Sequence, residues 1–392
     1  MSSKKDFVKN LNNVKLVIGN GFDLRCGLKS KYSDFFAYLF DKDEKIEEWY
    51  KEFATKVRFY LDFNTSNYSD FWTSYEYFDL RNVWDFFFYF LSKNKSSLNK
   101  NWCDIEYEIE KSLHTPDPYK ILDISWEKVC RFLTKGKMTE SINIHEELLC
   151  AIIHFKNKKK LFLNKNDFYY FLLIELKNFE TNFSNFIYNQ QYTTRIGYGI
   201  CGENELFIKL SLSTLNELVD VKNLSSVDSF NFGPTKVKWA DKVLHNINGG
   251  FNSPIFGIDS IVFKPNAPQY IFSKVCRRME NEMNKELAET RKEFENIVIY
   301  GHSLNKADHN YFFGIFDLIN VLDLNKSNVI VFAYSIYDEN QKEDIKLNLR
   351  LTISNLICEY AISKGMSSPN RLLDSLTASG KIIMYEIPNI II

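Results

Sequence analysis

The sequence predicts an α/β protein in which a Rossmann-like, mostly parallel sheet is interrupted by a large, mainly helical insertion. Three observations support this fold class. Short β-branched apolar runs alternate with helical segments from about residue 225 onward. A similar run occupies residues 14–18, far away in sequence. Between these regions glycine is nearly absent, since Gly136 is the only glycine between 41 and 196.

These patterns divide the chain into a sheet domain, 1–40 with 225–392, and a helical insertion domain, 41–224. Strands that are buried on both faces of a parallel sheet have nearly continuous apolar sequences. The predicted strands are 14–18, 227–232, 242–247, 253–258, 296–301, 328–335 and 381–387. Helices are predicted at 165–189 within the insertion and at 270–295, 308–322 and 341–364 between the later strands.

Composition and charge argue against several classes of protein. The 49 Lys and Arg residues balance 50 Asp and Glu residues, whereas a dedicated nucleic-acid binder normally has a basic excess. None of the seven cysteines forms a CxxC pair, which predicts free thiols in a reducing cytosol and no zinc site. The aromatic run at 86–91 is far shorter than the roughly 20 residues that span a bilayer. We expect a cytoplasmic homo-oligomer without membrane contact and without a metal.

The turn after the first predicted strand is a candidate site for a phosphate-bearing ligand. Glycine lacks a Cβ atom, so a main-chain N–H can approach a ligand closely, and the following helix begins with free N–H groups. The alternative is a plain tight turn, because Leu24 stands where the G-x-G-x-x-G pattern needs its third glycine. The predicted cofactor-binding residues here are Gly19, Asn20, Gly21, Phe22 and Asp23. Asp23 either contacts a ribose hydroxyl or is a carboxylate of the first helical turn.

A second turn, at 300–304, is predicted to form the other wall of the same pocket, with Gly301, His302 and Ser303 as ligand contacts. The nucleophile elbow of serine hydrolases, G-x-S-x-G, is not met because residue 305 is Asn. For His302 the alternative is an imidazole that bonds to the main chain. Since the carboxyl ends of parallel strands share one edge of a sheet, we expect the two turns to be neighbours.

Two blocks, GNGFDLRCGLKSKYSDF at 19–35 and YGHSLNKADHNYF at 300–312, resemble the signature blocks of the AbiH-like family of bacteriophage abortive infection proteins. Segments 102–106, 229–232 and 247–259 resemble weaker blocks of that family in the same order. The resemblance implies phage defence and a distant kinship to sirtuin-like domains, several of which bind or destroy NAD. On that analogy the turn at 19–21 holds the pyrophosphate of NAD, and Gly301 and Ser303 hold the adenosine.

The same resemblance implies the predicted catalytic residues, Asn231, Asn248 and Glu106. Asn231 would face the nicotinamide ribose, and Glu106 would orient or deprotonate a hydroxyl or a water. Asn248 stands where the family has a histidine, and an amide cannot act as a general base near neutral pH. His245 replaces that histidine only if the strand end is irregular, because the two positions lie on opposite faces of an extended strand.

Two functions follow as alternatives. The first is an NAD glycohydrolase that cleaves the bond between nicotinamide and ribose. The second is a non-catalytic nucleotide-binding sensor that recognises a phage component through its helical domain, which the replacement of histidine by Asn248 favours. A nuclease is the least favoured interpretation, because the charge is balanced and no metal-ligand spacing is present.

Overall fold

A computed structural model describes residues 4–41, 82–93, 104–114, 165–194, 201–203, 205–231, 244–248, 254–280 and 294–388. The chain divides into two compact units. The first unit consists of 1–31, 187–254 and 278–392, and the second consists of 32–186 and 255–277. These bounds differ from the predicted domains, since 187–224 belong to the unit that holds the sheet. The division into a sheet domain and a helical insertion stays a prediction.

The first unit is built on one six-stranded sheet in which every pair of neighbouring strands is parallel. The sheet confirms the predicted α/β class. Its strands are β1 Val14–Ile18, β2 Leu224–Ser229, β3 Leu244–Asn246, β4 Asn296–Tyr300, β5 Ile330–Tyr334 and β6 Ile382–Glu386. Their order across the sheet is 3-2-1-4-5-6, which is the order of a doubly wound α/β sheet. The direction of winding reverses between β1 and β4, so the carboxyl ends of these two strands flank the switch point.

Eleven α-helices are described in addition to short 3-10 turns. They are α1 Lys4–Lys9, α2 Asn20–Arg25, α3 Tyr32–Asp41, α4 Val83–Lys93, α5 Ile105–Leu113, α6 Lys165–Gln191, α7 Glu205–Leu218, α8 Lys274–Glu280, α9 His309–Leu318, α10 Lys342–Ser363 and α11 Pro369–Ala378. A small antiparallel hairpin joins Tyr192–Thr194 to Cys201–Glu203. Helix α6 confirms the long helix predicted from the pattern of 165–189. Among the described residues, no helix combines the length and the apolar character needed to cross a bilayer.

Helices cover both faces of the sheet. Successive side chains of a strand point to opposite faces, so Leu16 packs with α1, α2 and α7, whereas Val17 packs with α9, α10 and α11. All five residues of β1 are buried. This two-sided burial explains why the strand sequences are apolar without alternation.

The second unit has a core of aromatic side chains. The ring of Phe179 in α6 contacts the rings of Phe35 in α3 and Phe88 in α4, with centroids 5.5 and 5.3 Å away. Phe35 also packs on Phe183 of α6, with centroids 5.0 Å apart. Phe179 itself is completely buried. Large aromatic rings supply much apolar area per residue, which suits a helical core.

The predicted strand at 253–258 is wrong over its described residues, 254–258. Its main-chain groups bond to side chains of the second unit instead of a neighbouring strand. The Phe256 N–H donates to Glu180 at 2.6 Å, and the Phe256 carbonyl accepts from Arg277 at 2.6 Å. Glu180 and Arg277 also form a buried ion pair with each other. Ile258 forms an isolated bridge to Ser273. The segment is apolar like a strand, but it is irregular because its main-chain groups have these other partners.

We expect Phe179→Ala to lower the free energy of unfolding by about 3–5 kcal/mol, because it leaves a cavity among packed rings. The control is Tyr170→Ala on the same helix. Tyr170 is 61% exposed, so its loss should change the free energy by no more than about 0.5 kcal/mol. Urea unfolding followed by circular dichroism measures both, and equal effects of the two substitutions would contradict the described core.

Candidate functional site

The turn that follows β1 lies directly against the turn that follows β4, as the sequence predicts. The Gly19 N–H donates to the Tyr300 carbonyl at 2.9 Å, and the Gly21 N–H donates to the Gly301 carbonyl at 2.8 Å. The Phe22 N–H donates to the Gly19 carbonyl at 2.8 Å. These three amides are already paired, so a phosphate would not find them free. Ligand binding at this turn stays a prediction, and it would rely on other groups.

The glycines are required by the close approach of the two main chains. A Cβ atom on Gly21 would lie 2.6 Å from the Gly301 Cα, and one on Gly19 would lie 2.5 Å from the His302 Cα. Gly301 also has a φ of 69°, and its own Cβ would lie 2.6 Å from the Phe22 nitrogen. The tight-turn interpretation therefore accounts for all three glycines.

The other side chains of the two turns divide between core and surface. Phe22 is buried and packs edge-to-face on Tyr300, with ring centroids 6.4 Å apart. Asn20 is exposed, and its Oδ1 accepts a hydrogen bond from the Ser30 hydroxyl. Ser303 is exposed as well. Asn20 and Ser303 are thus the polar side chains that these turns offer to solvent.

The carboxyl ends of β1 and β2 bring Asp23 and Asn231 together. Asp23 lies in the first turn of α2 and Asn231 follows β2 by two residues; they are 4% and 5% exposed. The Asn231 Nδ2 makes no hydrogen bond of normal geometry to any described residue, yet the amide is close enough to lower the pKa of Asp23. The two side chains therefore face each other while the amide keeps unused hydrogen-bonding capacity.

Burial raises the pKa of Asp23 to about 7, and the neighbouring Asn231 amide opposes this rise only in part. A carboxyl with such a pKa can both accept and donate a proton near neutral pH. A second unsatisfied group, the buried Asn246 Oδ1, ends β3 beside Ser229 of β2. Unsatisfied buried polar groups are rare in native proteins, so their presence at the carboxyl edge indicates a place for a ligand or for water.

Asn248 is held by an arginine that the sequence analysis did not single out. The Arg278 Nη2 donates to the Asn248 Oδ1 at 2.8 Å and to an Asp308 oxygen at 3.0 Å, and the Arg278 Nε donates to the Ile247 carbonyl at 3.1 Å. Asn248 is therefore a fixed amide beside a cation, which is suited to hydrogen bonding and not to proton abstraction.

His302 bonds to its own loop, as its structural alternative predicts. Its Nδ1 accepts from the Leu304 N–H at 2.7 Å, which places the proton of the neutral ring on Nε2. That Nε2 lies 3.5 Å from Asp308, and the ring packs on Phe230 with centroids 4.3 Å apart. His302 thus stabilises the turn after β4, where Leu304 has a φ of 54°.

A buried charge network lies on the sheet face that α9 covers. Asp228 of β2 accepts from the Lys15 Nζ at 2.9 Å, from the His245 Nδ1 at 2.9 Å and from the Tyr311 hydroxyl. Burial alone would raise the pKa of Asp228, but the His245 hydrogen bond and the Lys15 charge hold it below its ordinary value. His245 is thus bonded to Asp228, whereas Asn248 is bonded to Arg278.

Glu106 lies in the second unit, at the start of α5, where Asp104 caps the helix by accepting from the Tyr107 N–H at 3.2 Å. The Glu106 carboxylate is not simply solvated, since it pairs with the Lys274 Nζ at 3.0 Å and accepts from the Gly257 N–H at 3.3 Å. Its predicted catalytic role stays a prediction.

Sequence reasoning missed Arg278 and Asp228 as parts of this region. Asp228 could have been found from the sequence, because a carboxylate inside a buried strand needs a hydrogen-bonding or charged partner. Arg278 could not have been found in this way, since it lies in an ordinary charged helical segment. Within the described ranges, no three His, Cys, Asp or Glu residues are grouped so that they would hold a metal ion.

We expect Gly21→Ala to lower the free energy of unfolding by about 1–3 kcal/mol, because its Cβ would collide with the Gly301 main chain. Gly314→Ala is the control with the opposite sign. Gly314 lies in α9, and a methyl group added there would meet no atom within 4 Å, so alanine should add up to about 1 kcal/mol through helix propensity. Thermal and urea unfolding of both variants give the comparison, and a neutral Gly21→Ala would contradict the turn packing.

Asp23 should make stability depend on pH. Its pKa of about 7 lies above the ordinary 3.8, so its contribution is complete below pH 4 and is lost as the pH rises through about 7. A rise of this size in the pKa corresponds to a loss on the order of 4 kcal/mol. Asp23→Asn should remove this loss when unfolding is measured between pH 5 and 8. The exposed Asp344→Asn should retain it, and equal pH slopes for Asp23→Asn and the unmodified protein would refute the assignment.

Comparison with known proteins identifies the family. No curated protein and no solved structure matches the chain. The family model described as bacteriophage abortive infection AbiH matches residues 16–334, which is more than half of the 392-residue chain. The match includes both turns and the Asp23–Asn231 region, and the chain therefore belongs to the AbiH family of bacteriophage abortive infection proteins.

Proposed function

We propose that this abortive infection protein binds a nucleotide of the NAD type at the carboxyl edge of its sheet and hydrolyses the bond between nicotinamide and ribose. Loss of NAD would then stop metabolism in an infected cell. The family supports the biological role. The chemical part rests on the site, because a fold alone does not define an activity.

The observation that carries the proposal is the buried pair of Asp23 and Asn231. The pair lies beside the switch point of a doubly wound sheet, where such sheets bind their ligands. The Asn231 amide has unused hydrogen-bonding capacity, and the Asp23 carboxyl changes protonation near neutral pH. An amide and a carboxylate are the groups that would hold two neighbouring ribose hydroxyls.

The proposed reaction passes through an oxocarbenium-like ribosyl centre. The bond between the ribose carbon and the nicotinamide nitrogen breaks, and nicotinamide leaves with the electron pair. Water attacks the same carbon and gives its proton to the Asp23 carboxylate. The products are nicotinamide and ADP-ribose, and the proton later passes from Asp23 to solvent. Asn231 would position the ribose, and Asn248 would donate from its amide while Arg278 holds its oxygen.

Other parts of the proposal rest on the sequence. Glu106 is kept as a second candidate base, and Asn20, Gly301 and Ser303 are kept as ligand contacts at the surface of the turns. The proposal also includes a phage component that starts the reaction, assembly as a homo-oligomer and a cytoplasmic location.

A nucleotide-binding sensor without catalysis is the second candidate. Asn248 favours it, because an amide fixed by Arg278 stands where the resemblance to the family implies a histidine. In this version Asp23 and Asn231 bind the ribose, and the signal is a change in recognition of a phage component.

Purified protein incubated with NAD should release free nicotinamide, measured by chromatography with and without lysate of phage-infected cells. We expect Asp23→Asn and Asn231→Ala to reduce the rate by on the order of 10²- to 10⁴-fold if they act on the reacting ribose. Glu106→Gln tests the second base. Asp344→Asn, an exposed change of the same chemistry, should leave the rate unchanged.

The outcomes separate the two candidates. Absence of nicotinamide under both conditions would rule out the hydrolase. Calorimetric binding of NAD without turnover, weakened by Asn231→Ala, would support the sensor. No binding and no turnover would remove the nucleotide from both versions.

A further inference from the structure

Arg25 is a buried cation whose hydrogen-bond partners among the described residues are all neutral. It ends α2 and is 7% exposed. Its Nε donates to the Thr214 hydroxyl at 3.2 Å, its Nη1 donates to the Ser335 hydroxyl at 2.8 Å, and its Nη2 donates to the Pro388 carbonyl. A guanidinium has five N–H donors, so two remain beyond these three bonds.

The charge of Arg25 has no counter-ion in the described part of the chain. None of the carboxylates described there lies within 4 Å of its guanidinium nitrogens. Two other cations of this unit, the buried Lys15 and the partly exposed Arg278, pair with Asp228 and Asp308. The buried Lys381 instead donates to the Asp323 carbonyl and to the Asn328 Oδ1. Burial of a charge is costly unless an opposite charge compensates it. Arg25 therefore differs from Lys15 and Arg278, because no opposite charge among the described residues compensates its own.

The strand ends around Arg25 supply further hydroxyl donors. Ser335 follows β5, and its Oγ lies 2.7 Å from the hydroxyl of Tyr300, the last residue of β4. Burial and the neighbouring Tyr337 phenol raise the pKa of Tyr300. Tyr337 is 62% exposed and Ser335 is partly exposed. One of the hydroxyls that bond the guanidinium, that of Ser335, is thus partly exposed to solvent.

We propose that Arg25, Ser335 and Tyr337 form a subsite for a phosphate group at the carboxyl ends of β4, β5 and β6. Arginine presents parallel N–H donors that match two phosphate oxygens, and the hydroxyls add neutral donors. This subsite takes the role that the sequence assigned to the glycine amides of the first turn, which are paired internally. That the phosphate belongs to a nucleotide rests on the proposed function; the anion subsite itself does not.

The alternative is an arginine that only fastens α2 to the strand ends. Both roles predict that removal of Arg25 lowers stability. Only the subsite predicts that the protein binds an anion, and that removal of a partly exposed hydroxyl weakens the binding while the fold remains intact.

Calorimetric titration with inorganic pyrophosphate at constant ionic strength tests the subsite. We expect Arg25→Gln to weaken binding at least tenfold and Ser335→Ala to weaken it a few-fold. Arg371→Gln removes the same charge from an exposed position and should bind as the unmodified protein does. If Arg25→Gln does not fold, Ser335→Ala and Tyr337→Phe decide the question.

Parallel titrations with ADP-ribose and adenosine distinguish the source of the phosphate. Tighter binding of ADP-ribose than of pyrophosphate, lost in Arg25→Gln, assigns the subsite to a nucleotide. Absence of pyrophosphate binding, or equal binding by the Arg25, Ser335 and Arg371 variants, overturns the subsite. Pyrophosphate binding without any nicotinamide release would retain the subsite and reject only the hydrolase.

Discussion

The main-chain contact between the turns after β1 and β4 closes the carboxyl edge of the sheet at its switch point. The Gly21 N–H donates to the Gly301 carbonyl, and both residues lack the Cβ atom that would separate the chains. Strand order reverses at this point, so a crevice would normally open here. Here the two main chains close that crevice, and the buried polar side chains of Asp23 and Asn231 lie beside it.

The buried carboxyls of Asp228 and Asp23 are in contrasting electrostatic environments. Asp228 has a cation and two further donors and is held ionised, whereas Asp23 has one amide neighbour and titrates near neutrality. The pKa values of two buried carboxyls in one unit are thus shifted in opposite directions by their different surroundings. Arg25 completes the contrast, because it is a buried cation whose described partners are all neutral.

The fold could be predicted from the sequence because its signals are local. Five-residue β-branched runs and the helical period of 165–189 need no knowledge of distant partners. The run at 253–258 was wrongly predicted as a strand because its structure depends on distant residues. Glu180 and Arg277 form the hydrogen bonds of its main chain that a neighbouring strand would otherwise form. At the site, the glycines and Asp23 were visible as a motif. Arg25 and Arg278 could not be predicted as parts of the site. The residues they contact lie 30 to more than 360 positions away in sequence, so no local pattern indicates these contacts.

The central position of β1 has a consequence for biosynthesis. This strand is made long before its two neighbours in the sheet, β2 and β4, of which the second ends at Tyr300. Pairing across such long separations is slow and must wait for the later segments. In a nascent chain on the ribosome, one edge of this apolar strand therefore stays without its partner until β4 has been translated. Termination before that point would yield fragments that carry the glycine motif of the first turn but lack the turn after β4 that packs against it.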